Sequence, residues 1–525
     1  MDFLWFLSCC INWPLIVGLL ILFIVVNFIK LFLDEGPVPI RDFDKNHNWQ
    51  QWVPATYKTH ARFCAVCDSL LVTTSSFYCD CCGVCADKPC IKKQITILND
   101  LKLYFIFLTL GTIASVDGTE ECAICNNEFT DPWKGDFHCC WCHRNIHGTC
   151  LSRIPETCDL GPYRLMIVPP TSIKPTKIRT RMRRKQTIIS VNPPEWPGWS
   201  PLIIIANKKS GSSDAEEILS LFRFILNPIQ VMIIGKNRTP AQALHWVKLV
   251  APNVCRILIA GGDGTVAWVL NTIREMKLKP EPLVSIFPLG TGNDLSRSLG
   301  WGAEPPDIIQ PEIILQKIQS ADTINLDRWD VEIAKCTRLT STLYTQTKVL
   351  YNYLSIGVDA EVTLGFHKAR ESKFYLMSSR LINKFLYLCY GTQQVVAPTN
   401  KGLEQKLELI LDGRVINLPP VESIVLLNIK CWGAGVKLWD MGDADGTVQS
   451  PSDGIIEVLG ITSSFHIAQL QVGLSQPLRI GQARVIEVRL LKPTPVQIDG
   501  EPWIQAPANI KISLSGQVKV LKVVS

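Results

Sequence analysis

The distribution of hydrophobic and polar positions divides the chain into an apolar start, a cysteine-rich stretch and a long region of short alternating elements. The apolar start runs from Trp13 to Leu33, and Lys30 is its only charged residue. About 20 apolar residues are long enough to cross a hydrocarbon core of roughly 30 Å. The pattern predicts a transmembrane anchor over residues 1–34. A re-entrant hairpin broken at Pro14 or Gly18 is the alternative.

The charges beside this run indicate its orientation. Residues 1–12 contain no Lys or Arg and no small-residue cleavage site follows, which disfavours a cleaved signal peptide. Lys30, Arg41 and Lys45 flank the C-terminal side only, and positive flanks stay in the cytosol. We therefore expect a membrane-anchored protein of the endoplasmic reticulum or plasma membrane, whose remaining domains face the cytosol, where ATP is available.

Beyond Pro201 the pattern changes to apolar runs rich in β-branched residues, which alternate with amphipathic segments. This alternation predicts a parallel α/β sheet, which forms one lobe over residues 198–335. Residues 336–525 show short strands with turn signals, for example KLELILDGRVINL, and predict a β-sandwich-like lobe. A chain of this length exceeds one hydrophobic core, so the expected fold class is multidomain α+β.

Net charge and cysteine usage narrow the function classes. The formal charge of +6 over 525 residues is mild, so we expect no nucleic-acid partner. Most of the 20 cysteines fall in two groups between Cys64 and Cys158. In a cytosolic protein such clustering favours metal over disulfide bonds.

The second cysteine group predicts a zinc finger over residues 122–158, with short C-x2-C pairs that let two thiolates reach one ion. Its candidate ligands are Cys122, Cys125, Cys139, Cys142, His147, Cys150 and Cys158. The spacing resembles the diacylglycerol/phorbol-ester type of finger, in which two zinc sites interleave. That resemblance implies one site of Cys122, Cys125, His147 and Cys150, and three ligands of a second site, whose leading His is missing here.

The first cysteine group predicts a degenerate finger of the same type over residues 47–98. Its candidate ligands are His47, Cys64, Cys67, Cys79, Cys82, Asp87 and Cys90. Asp87 stands where the family usually has His, and the last Cys is absent. Both fingers are expected to hold structural Zn²⁺, and the pattern leaves open whether they bind diacylglycerol or only staple the fold.

Two segments connect the predicted domains. Residues 99–121 contain the apolar run Leu101–Val116, which is too short to span a membrane and indicates a buried or interfacial segment, or an error in the gene model over residues 91–121. Residues 159–197 form a linker rich in Pro and basic residues. We expect this linker either to be simply solvated or to contact anionic lipid. Its basic residues are Lys174, Lys177, Arg179, Arg181, Arg183, Arg184 and Lys185.

Glycine-bearing loops follow three predicted strands of the α/β lobe, where ligands of such sheets bind. Glycine lets the backbone approach phosphate, and the next helix offers N–H groups. The candidate nucleotide-binding residues are Asn207, Ser210, Gly211, Gly261, Gly262, Gly264, Thr265, Gly290, Thr291, Gly292, Asn293 and Asp294. Asp263 would repel phosphate unless Mg²⁺ bridges them or the carboxylate handles a substrate proton, and both roles belong to phosphoryl transfer.

Five blocks of the chain, GGDGTVAWVL, FPLGTGNDLSR, NYLSIGVDAEVTLGFHKARE, CWGAGVKLW and VQIDGEPW, resemble the eukaryotic diacylglycerol kinases. The apolar start, both fingers and the segments SSRLINKFLYLCYGT and SFHIAQLQVGL resemble the epsilon type. This resemblance implies an ATP- and Mg²⁺-dependent kinase that converts 1,2-diacylglycerol to phosphatidic acid at the membrane. It also implies attenuation of diacylglycerol signalling, supply of phosphatidylinositol resynthesis and a preference for arachidonoyl chains. One departure is Lys208, where the family commonly has Pro.

The turn Asp499-Gly500-Glu501 matches the acidic turn that faces the nucleotide cleft in related lipid kinases. By resemblance, Asp499 is the candidate general base for the lipid hydroxyl, and Glu501 and Asp263 organise Mg²⁺ and the γ-phosphate. Taken alone, the D-G pair is more typical of a solvent-exposed hairpin.

Two other functions fit parts of the pattern. A sphingosine or ceramide kinase would share the GGDG loop, but the paired fingers and the GFHKARE block argue against it. A catalytically dead diacylglycerol sensor would keep the fingers and the anchor. The sensor is disfavoured because its site residues are intact, namely Asp263, Asn293, Asp294, Asp499 and Glu501.

Overall fold

The computed structural model describes the catalytic region and parts of the finger region. The described residues are 49–51, 76–79, 85–92, 108–110, 122–127, 137–139, 144–153, 159–169, 172–179, 184–207, 214–235, 238–306, 308–335, 344–371, 402–441 and 448–524. Within these ranges no helix is long and apolar enough to span a membrane. The predicted anchor at 1–34 lies outside them and stays a prediction, as do the ligand assignments of His47, Cys64, Cys67, Cys82, Cys142 and Cys158 and the loop residues Ser210 and Gly211.

Two small antiparallel sheets lie in the finger region. The first contains β1 (Trp49–Gln51), β2 (Ser76–Cys79) and β3 (Cys85–Asp87), and α1 (Lys88–Lys92) follows it. The second contains β4 (Leu108–Leu110), β5 (Phe137–Cys139) and β6 (Asn145–Ile146). Because β4 pairs with β5, part of the apolar segment 99–121 is a strand of the second finger.

The predicted linker 159–197 is partly integrated into the nucleotide-binding lobe. Strands β7 (Ile173–Arg179) and β8 (Arg184–Val191) form an antiparallel hairpin. Met166, Ile167 and Val168 are buried in the cores of the lobe. The amide of Gln230 accepts the N–H of Val168 at 2.8 Å and donates to the carbonyl of Met166 at 2.7 Å. The segment therefore differs from a linker that only separates domains.

The nucleotide-binding lobe is a parallel sheet with helices on both faces, as predicted. Its strands are β9 (Leu202–Asn207), β10 (Val231–Ile234), β11 (Arg256–Gly261) and β12 (Leu283–Pro288), in the order β10-β9-β11-β12. Its helices are α2 (Asp214–Ile225), α3 (Pro240–Val250), α4 (Asp263–Met276), α5 (Asp294–Ser298) and α6 (Pro311–Ser320). Two hydrophobic cores cover the two faces of the strands.

The rest of the catalytic region is rich in strands. They are β13 (Asp322–Lys335), β14 (Tyr344–Leu350), β15 (Tyr353–Gly357), β16 (Leu407–Leu411), β17 (Arg414–Ile416), β18 (Ser423–Leu427), β19 (Ile456–Ile461), β20 (Leu478–Ala483), β21 (Val485–Leu490), β22 (Thr494–Ile498), β23 (Glu501–Gln505) and β24 (Ala508–Lys522). Helices α7 (Val358–Glu371) and α8 (Ser464–Gln471) complete it. A core between a six-stranded and a ten-stranded sheet matches the predicted sandwich.

The two lobes share one sheet, which the predicted boundary at residues 335/336 does not anticipate. The last strand, β24, pairs in parallel with β12 of the nucleotide-binding lobe and antiparallel with β13 and β21. The chain thus returns to its first lobe at its end. Residues 508–522 therefore belong structurally to both lobes. The sequence did not predict this, because no local pattern in a strand reveals which sheet it will join.

Candidate active site

The predicted nucleotide loops meet at a switch point of the parallel sheet. Strands β9 and β11 are neighbours in this sheet, and the connection from β9 runs outward to β10 while the connection from β11 runs outward to β12, in the opposite direction. Ligands in open α/β sheets bind in the crevice that such a reversal leaves at the carboxyl ends of the strands. The amide of Asn207, at the end of β9, donates to the hydroxyl of Thr265 at 3.1 Å. The first two loops are thereby joined.

The second and third loops, Gly261–Thr265 and Gly290–Asp294, pack directly against each other. A Cβ added to Gly262 would lie 2.9 Å from Cα of Gly290, and one added to Gly290 would lie 2.6 Å from Cα of Gly262. A Cβ on Gly261 would meet the Thr265 side chain at 2.7 Å. Close packing of the loops explains why these three positions are glycine. The sequence analysis had explained the glycines of these loops by the close approach of phosphate to the backbone.

Gly264 is the exception, because its position is open. It is exposed in the first turn of α4, and an added Cβ would lie 3.5 Å from Oε1 of Glu501, an ordinary contact distance. The first N–H groups of a helix have no partner within the helix and carry the positive end of its dipole. This is the place where a phosphate can approach the backbone closely, and a carboxylate of the other lobe faces it.

The third loop is held by Asn293, which has a positive φ of 55° before α5. Its side chain accepts the N–H of Gly290 at 3.0 Å and donates to the carbonyls of Gly290 and Ala303 at 2.9 and 2.7 Å. The turn that carries Thr291 and Gly292 is therefore rigid.

Asp263 connects all parts of the site. Its carboxylate accepts the N–H groups of Asp294 and Leu295, each at 3.1 Å, and so caps α5. It also accepts the side-chain amide of Asn352 at 3.2 Å, which comes from the β-rich lobe. Desolvation raises the pKa of Asp263, while these hydrogen bonds oppose the rise. Sequence reasoning missed Asn352, although it opens the block NYLSIGVDAEV.

Asp294 is the second buried acid of the site. Its Oδ2 accepts the N–H of Ala434 at 3.2 Å, from the turn Cys431–Lys437 of the β-rich lobe. Burial and, next, the charge of Asp263 raise the pKa of Asp294 to about 7. Burial and a like charge both disfavour the charged form of such a group, and a cation bound beside it would favour that form.

Two buried oxygen atoms of the site are available as ligands for Mg²⁺. Oδ1 of Asp294 and Oδ1 of Asn352 are buried and lack a hydrogen-bond partner within the described residues. A Cβ on Gly292 would lie 3.5 Å from Oδ2 of Asp263 and 3.6 Å from Oδ2 of Asp294, so both carboxylates border the same glycine. Carboxylate and amide oxygens are the ligands that Mg²⁺ prefers. The donor set therefore fits the predicted Mg²⁺.

Asp499 is buried and organises the backbone of the β-rich lobe. Its carboxylate accepts the N–H groups of Tyr351 at 2.9 Å, Asn352 at 2.7 Å and Tyr353 at 3.1 Å. Burial raises the pKa of Asp499 to about 7, although these hydrogen bonds lower it. Asp499 itself has a positive φ of 48° in its turn. The carboxylate thus fixes the bend between β14 and β15 that presents Asn352 to Asp263.

Glu501, two residues later, is exposed and faces the open Gly264. Near it, Nζ of Lys348 lies 4.0 Å from the ring centroid of Trp503. Desolvation lowers the pKa of this half-buried lysine, and the charge of Glu501 opposes that change. Lys348 and Trp503 escaped the sequence analysis, because a Lys on one strand and a Trp on another form no pattern along the chain.

The comparison with known families identifies this region. Residues 201–326 match the profile of the diacylglycerol kinase catalytic domain, and residues 349–502 match that of the diacylglycerol kinase accessory domain. The chain belongs to the eukaryotic diacylglycerol kinase family. The predicted site residues of both lobes that the structure describes fall within these two matched ranges.

Similar curated proteins carry the same family name. Diacylglycerol kinase theta of Homo sapiens is 39% identical over 331 residues, which cover 61% of this chain and 34% of that protein. Diacylglycerol kinase iota of Mus musculus is 34% identical, with coverages of 77% and 42%. Probable diacylglycerol kinase 3 of Caenorhabditis elegans is 30% identical, with coverages of 91% and 64%. The chain spans less than two thirds of each of these relatives.

Among solved structures, a putative diacylglycerol kinase from Bacillus anthracis str. Sterne is 19% identical, with a TM-score of 0.40. The match covers 61% of this chain and 96% of that one.

In this member of the diacylglycerol kinase family, one of the predicted sets of zinc ligands lies close together in the structure. Cys122, Cys125, His147 and Cys150 place one ligand atom each within 4.8 Å of the others, and Sγ of Cys125 lies 3.3 Å from Nδ1 of His147. Thiolate and imidazole in a group of four suit tetrahedral Zn²⁺. The grouping agrees with the first of the two ligand sets that the finger resemblance implies.

The other predicted zinc ligands receive less support from the described residues. Oδ1 of Asp87 accepts the N–H of Cys90 at 2.7 Å and so caps the short helix α1. No other group of three or more potential ligands lies together within the part of the chain that the structure describes. The second zinc site, to which Cys139 would belong, and the site of the first finger with Cys79 stay predictions.

Proposed function

We propose that this protein is an ATP-dependent diacylglycerol kinase, which transfers the γ-phosphoryl group of ATP to the free hydroxyl of 1,2-diacylglycerol and forms phosphatidic acid. The observation that carries the proposal is the position of Asp263, which caps the helix of the third glycine loop and contacts Asn352 of the β-rich lobe. A phosphate site and an acceptor-binding lobe are thereby joined at one carboxylate.

Different residues of the site have different roles in the proposed phosphoryl transfer. The N-terminus of α4 at Gly264 binds phosphate, and Asp263, Asp294 and Asn352 would hold Mg²⁺ through their oxygen atoms. When bound, Mg²⁺ neutralises charge on the phosphates. A loose transition state needs in-line positioning and charge neutralisation more than a strong base. A carboxylate therefore suffices to accept the proton of the lipid hydroxyl.

Glu501 is better placed than Asp499 to accept that proton. Glu501 is exposed and faces the phosphate-binding turn at Gly264, whereas the oxygens of Asp499 already accept three backbone N–H groups. We assign Asp499 a positioning role, since it fixes the backbone at Asn352. The sequence resemblance had favoured Asp499 as the base.

Relatives named diacylglycerol kinase support diacylglycerol as the lipid, in preference to sphingosine or ceramide. The two mammalian relatives given above are of the theta and iota types, and the nematode relative carries no type name, so they lend no support to the finer resemblance to the epsilon type. The epsilon assignment, the arachidonoyl preference, and the roles in ending diacylglycerol signalling and supplying phosphatidylinositol resynthesis stay proposals. So do the membrane anchor, contact of the basic linker with anionic lipid, and a cytosolic catalytic region at the endoplasmic reticulum or plasma membrane.

Phosphorylation with labelled ATP in mixed micelles tests the function. Diacylglycerol, sphingosine and ceramide are offered side by side, and Asp263→Ala serves as the control. We expect labelled phosphatidic acid alone, and its loss in the control. No product from any lipid, with folded protein, would favour the sensor, and a phosphorylated sphingoid base would assign the enzyme to the other lipid kinases.

A further inference from the structure

Helix α8 and the turn after it expose an apolar surface on the β-rich lobe. Phe465, Val472 and Leu474 are 59%, 67% and 78% exposed. Residues 463–478 contain no Asp, Glu, Lys or Arg, in a chain whose charged residues make up 19%. A surface segment of this length without charge is unusual, because charged side chains normally cover the exposed face of a helix. We call Phe465, Val472 and Leu474 the apolar tip.

The apolar tip is held rigidly. The helix begins at the Ser463 cap, whose side chain accepts the N–H of His466 at 3.1 Å. It ends in a Schellman arrangement, in which Gly473 donates to the carbonyl of Leu470 at 3.2 Å and Leu474 to that of Gln469 at 2.9 Å. The ring of His466 lies 2.9 Å from the carbonyl of Gln476 and anchors the far side of the turn.

This C-terminal turn lacks the contact that usually accompanies it. In a Schellman arrangement the apolar residue after the glycine commonly packs on the last turn of its own helix. Here that residue is Leu474, its partner position is Gln469, and Leu474 remains largely exposed. The inner face of α8 is well packed, with Ile467 and Leu470 buried in the local core. The outward apolar residues therefore serve neither the helix nor that core.

The tip lies beside the candidate active site. Nε2 of Gln471, the last residue of α8, is 3.8 Å from where a Cβ on Gly433 would lie. The next residue, Ala434, donates its N–H to Oδ2 of Asp294 at 3.2 Å. One short turn thus separates the apolar tip from a carboxylate of the phosphoryl-transfer site.

The charges around the tip suit a lipid surface. Arg479 ends the uncharged segment, with its guanidinium 4.5 Å from the ring centroid of Trp439, and Lys437 is exposed on the turn that reaches Asp294. Asp440 is the nearest acidic residue along that turn and is also exposed. Apolar and aromatic groups flanked by cations are the pattern with which peripheral proteins enter the boundary of headgroups and acyl chains.

We propose that the apolar tip inserts into the lipid bilayer and presents the active site to diacylglycerol within it. This inference rests on the proposed kinase function and adds to the membrane anchor a second contact, made by the catalytic region itself. It is a substrate-access surface: Val472 and Leu474 enter the acyl boundary, and the turn at Gly433 and Ala434 leads the lipid hydroxyl toward Asp294 and Glu501.

The test compares bilayer substrate with dissolved substrate. The full chain is reconstituted in phosphatidylcholine vesicles and given either dioleoylglycerol in the bilayer or monomeric dihexanoylglycerol from the buffer. The double variant V472S/L474S is compared with Val415→Ser, which removes an apolar side chain of 70% exposure on β17, at the far edge of the ten-stranded sheet. We expect the double variant to lose about tenfold or more in kcat/KM on dioleoylglycerol, because membrane binding scales with buried apolar area. Its kcat/KM on dihexanoylglycerol should stay within about twofold of wild type, and V415S should match wild type on both.

The outcomes separate the inference from the proposed function. If the wild type phosphorylates neither lipid, the proposed function fails. If the wild type is active and the double variant loses nothing, or loses equally on both lipids, the inference is overturned. A wild-type dimer in detergent that the double variant abolishes, with unchanged activity on dioleoylglycerol, would make the tip an interface between two copies and would also overturn it.

Discussion

At the scale of single residues, the glycines of the nucleotide loops have different physical reasons to be glycine. Gly262 and Gly290 meet backbone to backbone, so any side chain on either would collide with the other loop. Gly264 has room for a side chain, and we propose that this open space receives the phosphate. Substitutions at these positions should therefore fail in different ways.

We predict that Gly264→Asp abolishes activity while the protein stays folded. The new carboxylate would occupy the phosphate approach, close to Glu501, and losing one well-placed phosphate contact costs about 3 kcal/mol or about 100-fold in rate. Gly264→Ala is the matched control, since its Cβ meets only an ordinary contact at 3.5 Å. Labelled-ATP turnover and the melting temperature are measured for both. Activity of the Asp variant above about 10% of wild type would refute the loop assignment.

A second experiment should distinguish the roles of the two acids in the Asp-Gly-Glu turn, Asp499 and Glu501. Asp499→Asn places an amide N–H among three N–H donors, so it should lower both the melting temperature and kcat. Glu501→Gln should lower kcat by about 100-fold or more without changing the melting temperature, because Glu501 is exposed. If Asp499→Asn instead removes activity with unchanged stability, Asp499 is the base that the sequence resemblance implies.

At the scale of elements, the second finger brings together four potential metal ligands from distant parts of its sequence. Cys122 and Cys125 lie in one turn, while His147 and Cys150 lie beyond β6. Small elements of this kind are too short to bury a core and are stabilised by Zn²⁺.

We predict that Cys150→Ser releases about one equivalent of zinc per chain and unfolds the second finger, with little effect on turnover in detergent. Loss of one of four ligands weakens a tetrahedral site severely. Zinc is counted by atomic emission after gel filtration, and Cys255→Ser is the control, because Cys255 is buried in the α/β core outside the fingers. Unchanged zinc content in C150S would contradict the site.

Strand β19 carries a buried acid that should make stability depend on pH. Glu457 is fully buried and accepts hydrogen bonds from Gln449 at 3.0 Å and Gln482 at 3.1 Å. Burial raises its pKa from 4.5 to about 7. The unfolded chain loses this proton first as pH rises, so the contribution of Glu457 to the free energy of unfolding is greatest below about pH 4.5 and falls toward pH 7.

We predict that Glu457→Gln flattens the fall in melting temperature between about pH 4.5 and pH 7, because it removes a cost of about 3 kcal/mol at neutral pH. The slope should decrease without vanishing, since burial raises the pKa of Asp294 and Asp499 in the same direction. Melting curves of both proteins across this range, without Mg²⁺, provide the measurement. Equal slopes would mean that Glu457 keeps an ordinary pKa.

At the scale of the whole molecule, the last strand holds the two lobes together. Strand β24 lies between β13 and β21 along its first half and reaches β12 at its end. The indole N–H of Trp301 also donates to the carbonyl of Leu521 at 2.7 Å. The α/β lobe is therefore completed by strand β24, near the end of the given sequence.

We predict that truncation after Gln505 prevents folding of the catalytic region, because it removes β24 from the middle of the ten-stranded sheet. Deletion of residues 1–34 is the contrasting variant, and it should reduce membrane association while turnover in detergent persists. Limited proteolysis and turnover report on both. A protease-resistant and active truncation would contradict the shared sheet, and loss of all turnover on deleting 1–34 would make the anchor part of the catalytic fold.

The sequence by itself determined the α/β lobe, the glycine loops and one cysteine-histidine group of this protein. Apolar runs of strand length between amphipathic segments specify the α/β lobe, because period and length are local properties of the chain. The pair GGDGT and PLGTGND predicts the two glycine loops that pack together at the candidate site, and the cysteine spacings predict one group of four potential metal ligands, since each depends on residues close together in sequence.

Only the tertiary structure decided which of these parts meet. It placed Asn352 and the N–H of Ala434 against the acids of the α/β lobe, stacked Lys348 on Trp503 beside Glu501, and returned β24 to the first sheet. The physical reason is the same in each case. Contacts between residues tens to hundreds of positions apart are fixed by the packing of whole sheets, and no pattern along the chain records them.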